Sequence, residues 1–487
     1  MRNITEYMRR RQSLEEETMD RIGILLVSYG AREAAMADMF SRSSEYKVDL
    51  YIVDKQRNPF NAKIAFDHIV MPELEVQAIK RYAARHREGI DFAVVGPEKP
   101  IIEGVRDLLE GELSIPTICP TKSYAFEGSK VRQRMLLQEV IPEVNVKFKV
   151  FYPEELKDES SLKRRLYEWV DELGGEAVVK PDAPAAGKGV GVWGDHFTTR
   201  EGLYSHFREN LAYGPVIVEE KVIGEESSFQ AFCDGIHLIP LPDTRDYKRA
   251  FDGDAGPNTG GMGSYKDVGD VLPFLSRGDR EREIRFAEKL FQALRGGGSN
   301  PNLLGVPFYI AYIHTREGVK ILEINSRPGD PEIINIIPVM RSDLAEVCFK
   351  ILDGNLTKVD MEAKATVVIY KVPPIYGGFS EAYPGRIDKS QVGLPVDLTE
   401  AQDLADKDPY RLRIYPASME VRDSQIYPLR SRAICTVGIG DSIQEARETA
   451  LEALERIRGG ALWHRGDIAS QDHINRSIAH MRSLRGL

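Results

Sequence analysis

Cysteine is scarce in this chain: four among 487 residues, Cys119, Cys233, Cys348 and Cys435, far apart and in no C-x-x-C spacing. That excludes a disulfide framework, argues against a zinc site and suits a reducing cytoplasm. Net positive charge is also missing, since 75 acidic against 65 basic residues leave −10. Nucleic-acid binding needs a basic field to displace counterions, so it is not expected, and acidic substrates must be met by local cations. No apolar run is long enough to span a bilayer, and "MRNITEYMRRRQSLEEETMD" lacks the apolar core of a secretory signal. Residues 1–20 read as a charged, partly helical extension. Internal repeats and low-complexity tracts are absent.

What is present is the composition of a protein of several domains, 42% hydrophobic and 29% charged. "IGILLVSYG" is an apolar strand followed by the alanine-rich helix "AREAAMADMF"; "VDLYIVD", "IDFAVVG" and the helix "PIIEGVRDLL" continue the alternation. Strands alternating with helices predict a parallel sheet, with ligands at the strand ends Ser28 to Arg32 and Gly96 to Lys99. "SYGARE" has one glycine where a dinucleotide fingerprint has three, so a plain βαβ turn serves equally well. From about Lys122 a second domain begins, with "EGSKVRQRMLLQEVIP" as one amphipathic helix closed by Pro142. The tail from about Ala363 carries strands and a helix with the capping box Ser442-x-x-Glu445, stopped by Gly459-Gly460. Between them "DYKRAFDGDAGPNTGGMGSY", with five glycines, reads as a segment that neither forms a helix nor faces a core.

Three pieces carry chemistry. In "AAGKGV", Lys188 lies between two glycines that let the backbone approach phosphate; this is not a P-loop, because Gly189 and Asp182 stand where that motif needs Ser/Thr and Gly. A structural turn remains open there. Lys180 ends an apolar strand just before it and can point at the same phosphates. In "ILEINSRPGDPE", strand alternation puts Glu323, Asn325 and Arg327 on one face and Leu322 and Ile324 on the other. Carboxylate and amide oxygens suit magnesium shared with substrate phosphates, and the arginine suits a transferring phosphoryl group. A solvated ion pair is the alternative, against which Pro328-Gly329-Asp330-Pro331 would fix the arginine.

The motifs "VGPEKPIIEGV", "EGSK", "VVKPDAPAAGKGV", "VEEKVIGEESSF", "DYKRAFDGDAGPNTGGMGSY", "EINSRPGDPE" and "LWHRGDI", spread over nearly the whole chain, resemble the phosphoribosylamine–glycine ligase (glycinamide ribonucleotide synthetase) family of the ATP-grasp superfamily. The resemblance implies an α/β ATP-grasp fold (α+β overall) over about 122–360, with 147–220 as a mobile ATP-covering part. A Rossmann-like parallel-sheet domain over 21–121 precedes it, and a small α+β domain over 361–487 follows. It implies an ATP-dependent ligase of purine biosynthesis using Mg2+ (or Mn2+): the glycine carboxylate becomes an acyl phosphate, the amine of 5-phosphoribosylamine attacks it, and glycinamide ribonucleotide, ADP and phosphate result. Small-molecule substrates, no nucleic-acid or membrane partner, and a monomer or small homo-oligomer in the cytoplasm are expected.

Carried over by motif, Lys130 and Lys180 would contact ATP phosphates beneath a loop containing Ala186, Gly187, Lys188 and Gly189. Glu219, Glu220 and Val222 would read adenine through the backbone, and Glu226 would hold the ribose. Glu323 and Asn325 would bind the metal, with Arg327 and Lys248 catalytic. Gly96, Glu98, Lys99, Arg249, Asn258, Thr259, Gly260, Gly261 and Asp330 would surround the other substrates. The chain departs from the family pattern at Ser28, Tyr29, Ala31 and Ala34 in the first loop, at Tyr247 in place of a histidine, and at Pro328 in place of an aromatic. Those departures keep two rivals in view: a related carboxylate–amine ligase with another substrate pair, and an inert nucleotide-binding paralogue.

Overall fold

The computed structural model describes residues 19–182 and 189–487. The expected N-terminal extension, apart from its last two residues, and Ala186, Gly187 and Lys188 lie outside the described residues. The run Gly23–Ser28 is buried throughout and forms the middle of a five-stranded parallel sheet, in the order Asp67–Val70, Tyr46–Asp54, Asp20–Ser28, Phe92–Val95, Thr117–Ile118. The order of the strands reverses beside Asp20–Ser28, which pairs with Phe92–Val95 on its other side, Val27 opposite Val95. Ser28 and Gly96 thus share the crevice where such sheets take ligands. The single helix expected after Gly96 is two, Glu98–Glu103 and Val105–Leu113, because Gly104 between them adopts φ +91°.

The central antiparallel sheet runs Leu238–Pro240, Glu225–Asp234, Leu304–His314, Val319–Asn325. One face buries Phe229, Phe308, Ile310 and Ile324 against the helices Lys130–Val140 and Arg277–Arg295. A second antiparallel sheet, Phe148–Phe151, Val216–Glu220, Ala177–Pro181, Gly191–Val192, has its own core under the helices Glu159–Glu172 and Arg200–Leu211. The C-terminal sheet is ordered Arg245–Asp246, Gly263–Lys266, Ala365–Lys371, Ile434–Gly440, Leu412–Pro416. Its helix Ile443–Arg456 is capped at Ser442 as expected, but it ends three residues before Gly459, where Lys371 Nζ donates to the carbonyls of Leu454 and Ile457.

The glycine-rich segment corrects the expectation of a coreless rim. Its two ends are strands of the C-terminal sheet, Arg249–Phe251 forms a hairpin with Ala255–Asn258, and Tyr247, Ala250, Phe251, Met262 and Tyr265 are buried. Its aromatic residues and Met262 all point inward, which composition alone did not reveal. Among the described residues no helix is long and apolar enough to cross a membrane.

Candidate active site

Around Lys180 the candidate site is built on a buried charge triad. Lys180 Nζ lies 2.7 Å from Glu219 Oε2, and Arg134 grips the same carboxylate while donating to the carbonyls of Ile321 (2.9 Å) and Leu322 (2.7 Å). Burial pushes the Glu219 carboxyl up, but Arg134 and Lys180 overcome it and hold it at about 2. The Glu219 side chain is therefore a structural anchor for Lys180, and any adenine recognition here falls to the backbone. Glu220 N donates to Lys147 O, and Lys221 and Val222 lie beyond the strand end. Lys130 starts its helix next to Ser129, whose hydroxyl caps that helix and donates to Asp182.

The strand Val319–Asn325 bears out one expected neighbourhood of side chains and corrects another. Glu323 Oε1 accepts from Asn325 Nδ2 at 3.5 Å, so the two oxygen-bearing side chains sit together. Leu322 does not share a face with Ile324: the register slips between the pairs Ala311–Glu323 and Tyr312–Ile321, leaving Leu322 as a bulge. The core residues on this strand are Val319, Ile321 and Ile324, and the Leu322 carbonyl turns toward Arg134 and Lys180. Burial raises the Glu323 carboxyl, yet Lys248, Lys130 and Lys180 outweigh it and keep it ionised. This donor pair fits a hard cation. Among the described residues no three carboxylates, histidines or cysteines form a complete cage, so substrate oxygens would complete the shell.

Arg327 lies just past the strand and bridges two domains. Its Nη2 is 3.1 Å from Glu127 Oε1, and its Nε is 3.5 Å from Glu98 Oε2 at the mouth of the parallel sheet. Glu127 is fixed in turn by exchange with Ser326, backbone to side chain in both directions. Lys248 Nζ donates to Glu226 Oε2 at 3.0 Å; burial lowers the ammonium, but Glu226, Glu323 and Asp246 hold it charged.

The loop 259–261 hangs on residues that sequence reading missed. Arg432 donates to Gly260 O (2.7 Å), Gly261 O (3.3 Å) and Asp330 O (3.0 Å), and its Nη2 lies 3.2 Å from Asp330 Oδ2. Tyr370 OH donates to Asp330 Oδ1 at 2.7 Å. Thr259 N and Oγ1 both donate to Lys248 O, closing the turn. Asn258 is exposed in the hairpin opposite Arg249, which pairs with Asp195 of the small antiparallel sheet's loop. Lys99 stands apart from the cluster, donating to Glu73 O at 2.8 Å. Nothing in the strings around Arg134 and Arg432 marks them; only the register of Arg134 one helical turn after Lys130 hints at an inward face.

The phosphoribosylglycinamide synthetase N-domain model matches residues 22–126, and the ATP-grasp (A) domain model of the same enzyme matches 137–333. The phosphoribosylamine–glycine ligase of Methanobrevibacter smithii is 34% identical over 469 residues, 95% of this chain and 99% of that protein. That of Methanopyrus kandleri is 36% identical over 472 residues, with 95% and 99% covered. The chain belongs to the phosphoribosylamine–glycine ligase family. The solved phosphoribosylamine–glycine ligase of Thermotoga maritima shares this ligase's fold with a TM-score of 0.67 at 23% identity, covering 92% of this chain and 100% of that one. N5-carboxyaminoimidazole ribonucleotide synthetase of the same organism shares it more distantly, with a TM-score of 0.58 at 16% identity, covering 90% and 99%.

As a ligase of this family the chain accounts for its own departures. Glu33 Oε2 accepts from Tyr29 N (3.2 Å) and Gly30 N (3.0 Å), so the glycine-poor first loop is tied down by a carboxylate. Gly96 is required beside it, since a Cβ there would meet Glu33 Oε1 at 1.8 Å. Ala34 is fully buried behind that loop. Tyr247 is only 1% exposed; its hydroxyl accepts from Ala469 N at 2.9 Å, and its ring meets His473 at 4.8 Å between centroids. It braces the C-terminal domain. Pro328 contributes its carbonyl, which accepts from Arg32 Nη1 at 2.9 Å.

Proposed function

We infer that this ligase joins glycine to 5-phosphoribosylamine at the expense of ATP, giving glycinamide ribonucleotide, ADP and phosphate. The observation that carries the reading is the convergence of Glu323–Asn325, Lys180, Lys248 and Arg327 beside Glu98 of the parallel-sheet domain. Phosphoryl transfer needs positioning and charge neutralisation more than covalent help, and this cluster offers both. Lys130 and Lys180 would neutralise the ATP phosphates beneath Gly189 and its neighbours, with adenine against Glu219, Glu220 and Val222 and the ribose near Glu226. Glu323 and Asn325 would hold Mg2+ (or Mn2+), which supplies charge neutralisation between phosphate oxygens. Arg327 would lie against the transferring phosphoryl group and Lys248 against the glycine carboxylate. Phosphoribosylamine would enter from Gly96, Glu98 and Lys99, opposite Arg249, Asn258, Thr259, Gly260, Gly261 and Asp330. Work in the cytoplasm, as a monomer or small homo-oligomer, fits this reading.

The test is phosphate release with ATP, Mg2+, glycine and freshly made phosphoribosylamine. Release dependent on both glycine and the amine is expected; release no faster than the glycine-free control would overturn the reading. Arg327→Ala should lower kcat by roughly 100-fold or more while ATP affinity stays close to wild type. A second reading, another carboxylate–amine pair, is favoured by one observation only, the first-loop amides already taken by Glu33. Turnover with a different acid or amine, and none with glycine and phosphoribosylamine, would select it.

A further inference from the structure

A buried cluster of charge lies away from the site, where the helix Arg277–Arg295 begins. Asp243, Asp279, Arg280, Glu283 and His314 are all buried there. Asp279 is fully engaged, accepting from Ser276, Arg282 and Arg485. One cation, Arg280, is left for two carboxyl groups: its Nη1 pairs with Asp243 Oδ1 and lies 3.8 Å from Glu283 Oε2. The two carboxyls are hydrogen-bonded to one another. Asp243 Oδ2 and Glu283 Oε2 are both buried, and neither has a donor from any other group among the described residues. Two ionised carboxylates cannot make that bond, because each only accepts. A single proton between them supplies the donor, satisfies both orphan oxygens and leaves one negative charge for Arg280 to neutralise.

We propose that Asp243 and Glu283 share one proton at neutral pH, and that this proton fastens the start of the helix Arg277–Arg295 to the chain leading into the strand Arg245–Asp246. The other possible holder of the proton is His314, whose Nε2 lies 2.9 Å from Glu283 Oε1 and 3.0 Å from Ser227 Oγ. Burial pushes that imidazole down to about 4, and Ser227 Oγ already donates to the same carboxylate oxygen. Burial raises both carboxyls; for Asp243 the charge of Glu283 adds to it, Arg280 opposes, and the result stands well above the usual carboxylate range. Two further groups face the pair without charging it. Tyr312 OH donates to Glu283 O at 2.9 Å, and Asp270 offers Asp243 N its carbonyl while the residue itself is exposed. In the unfolded chain both carboxyls titrate at about 4, so unfolding at neutral pH releases the shared proton. The stability this joint contributes is complete in acid and is lost as pH rises from about 4 through the pair's own titration. Without the proton, two buried anions press on one guanidinium, and the joint opens from the alkaline side. Asp243 stands two residues before Arg245, so the opening loosens the entry to the glycine-rich segment.

The experiment counts protons. Full-length Asp243→Asn and Glu283→Gln each put an amide where a protonated carboxyl would stand, keeping its size and a donor. Urea unfolding of wild type and both variants, followed from roughly pH 6 to pH 8, gives the protons released from the slope of stability against pH. Wild type should release about one proton more than either variant. Equal release in all three overturns the proposal. A measurement that needs no variant is the infrared spectrum of the wild-type protein at pH 7, which should contain the carbonyl stretch of a buried protonated carboxyl; a spectrum without that band overturns the proposal. In each variant that folds, the band should weaken, and an undiminished band in both is equally fatal. Nitrogen shifts of histidine-labelled protein should show neutral His314 at pH 7, whereas an imidazolium puts the proton on the ring and overturns the assignment to the carboxyl pair. None of these readouts depends on which substrates the ligase joins.

Discussion

Gly261 shows how little freedom single positions in this site retain. Its φ of +104° is closed to most side chains, and a Cβ would press on the ring of Pro331 as well as on Asp246, each at 2.7 Å. Gly261→Ala is expected to cost about 1–3 kcal/mol of strain and to lower kcat/KM by roughly tenfold or more, read by steady-state kinetics on a variant whose circular dichroism matches wild type. Glu219 makes a prediction in pH. Its carboxyl titrates at about 2 when folded against an ordinary 4.5, so the unfolded chain binds more protons between those values. The stability it contributes is complete above pH 4.5 and is lost as pH falls toward 2, up to about 3 kcal/mol. Urea midpoints measured from pH 6 to pH 3 should therefore fall less steeply in Glu219→Gln than in wild type. Equal slopes would remove Glu219 from the acid sensitivity.

Among elements, the sheet Phe148–Phe151, Val216–Glu220, Ala177–Pro181, Gly191–Val192 reaches the glycine-rich segment through Arg249 and Asp195, both partly exposed at 27% and 40%. Such a pair is worth about 0–1 kcal/mol and is screened by salt. Asp195→Asn should raise KM for ATP by at most about fivefold at low ionic strength, and the difference should vanish in roughly 0.5 M salt; a salt-independent loss would mean the pair does more than hold the two parts together. The same scale separates what the sequence disclosed from what it hid. Period-two patterning put Glu323 and Asn325 together because neighbours on a strand obey local geometry, and the apolar runs announced the parallel sheet for the same reason. The Leu322 bulge broke that pattern, since a bulge answers to the partner strand Leu304–His314 and not to its own residues. Arg134 reaches Glu219 across 85 residues, and Arg432 reaches Gly260 across 172, separations at which neither composition nor spacing carries a signal.

At the scale of the whole molecule, the site is shared by all parts of the chain. Arg327 joins the central sheet to the parallel-sheet domain through Glu98, and Arg432 of the C-terminal sheet fixes the Gly260–Gly261 carbonyls and Asp330. Arg432→Met should leave ATP binding in place and reduce turnover by roughly 100-fold, because a misplacement of the substrate loop near 1 Å is costly. Binding of a fluorescent ATP analogue and phosphate release, measured on one preparation, separate the two effects, and full activity would show that the loop holds its shape unaided.

The glycine-rich segment from Asp246 to Tyr265 lends its ends to a sheet whose other strands are made one to two hundred residues later. Arg465 donates to Arg249 O, and in the last helix His473 and His480 pair with Asp254 and Glu225 while Arg485 pairs with Asp279. During synthesis the glycine-rich segment therefore cannot reach its final contacts until the last helix, Gln471–Arg485, has been made, so completion of this part of the fold belongs to the finished chain.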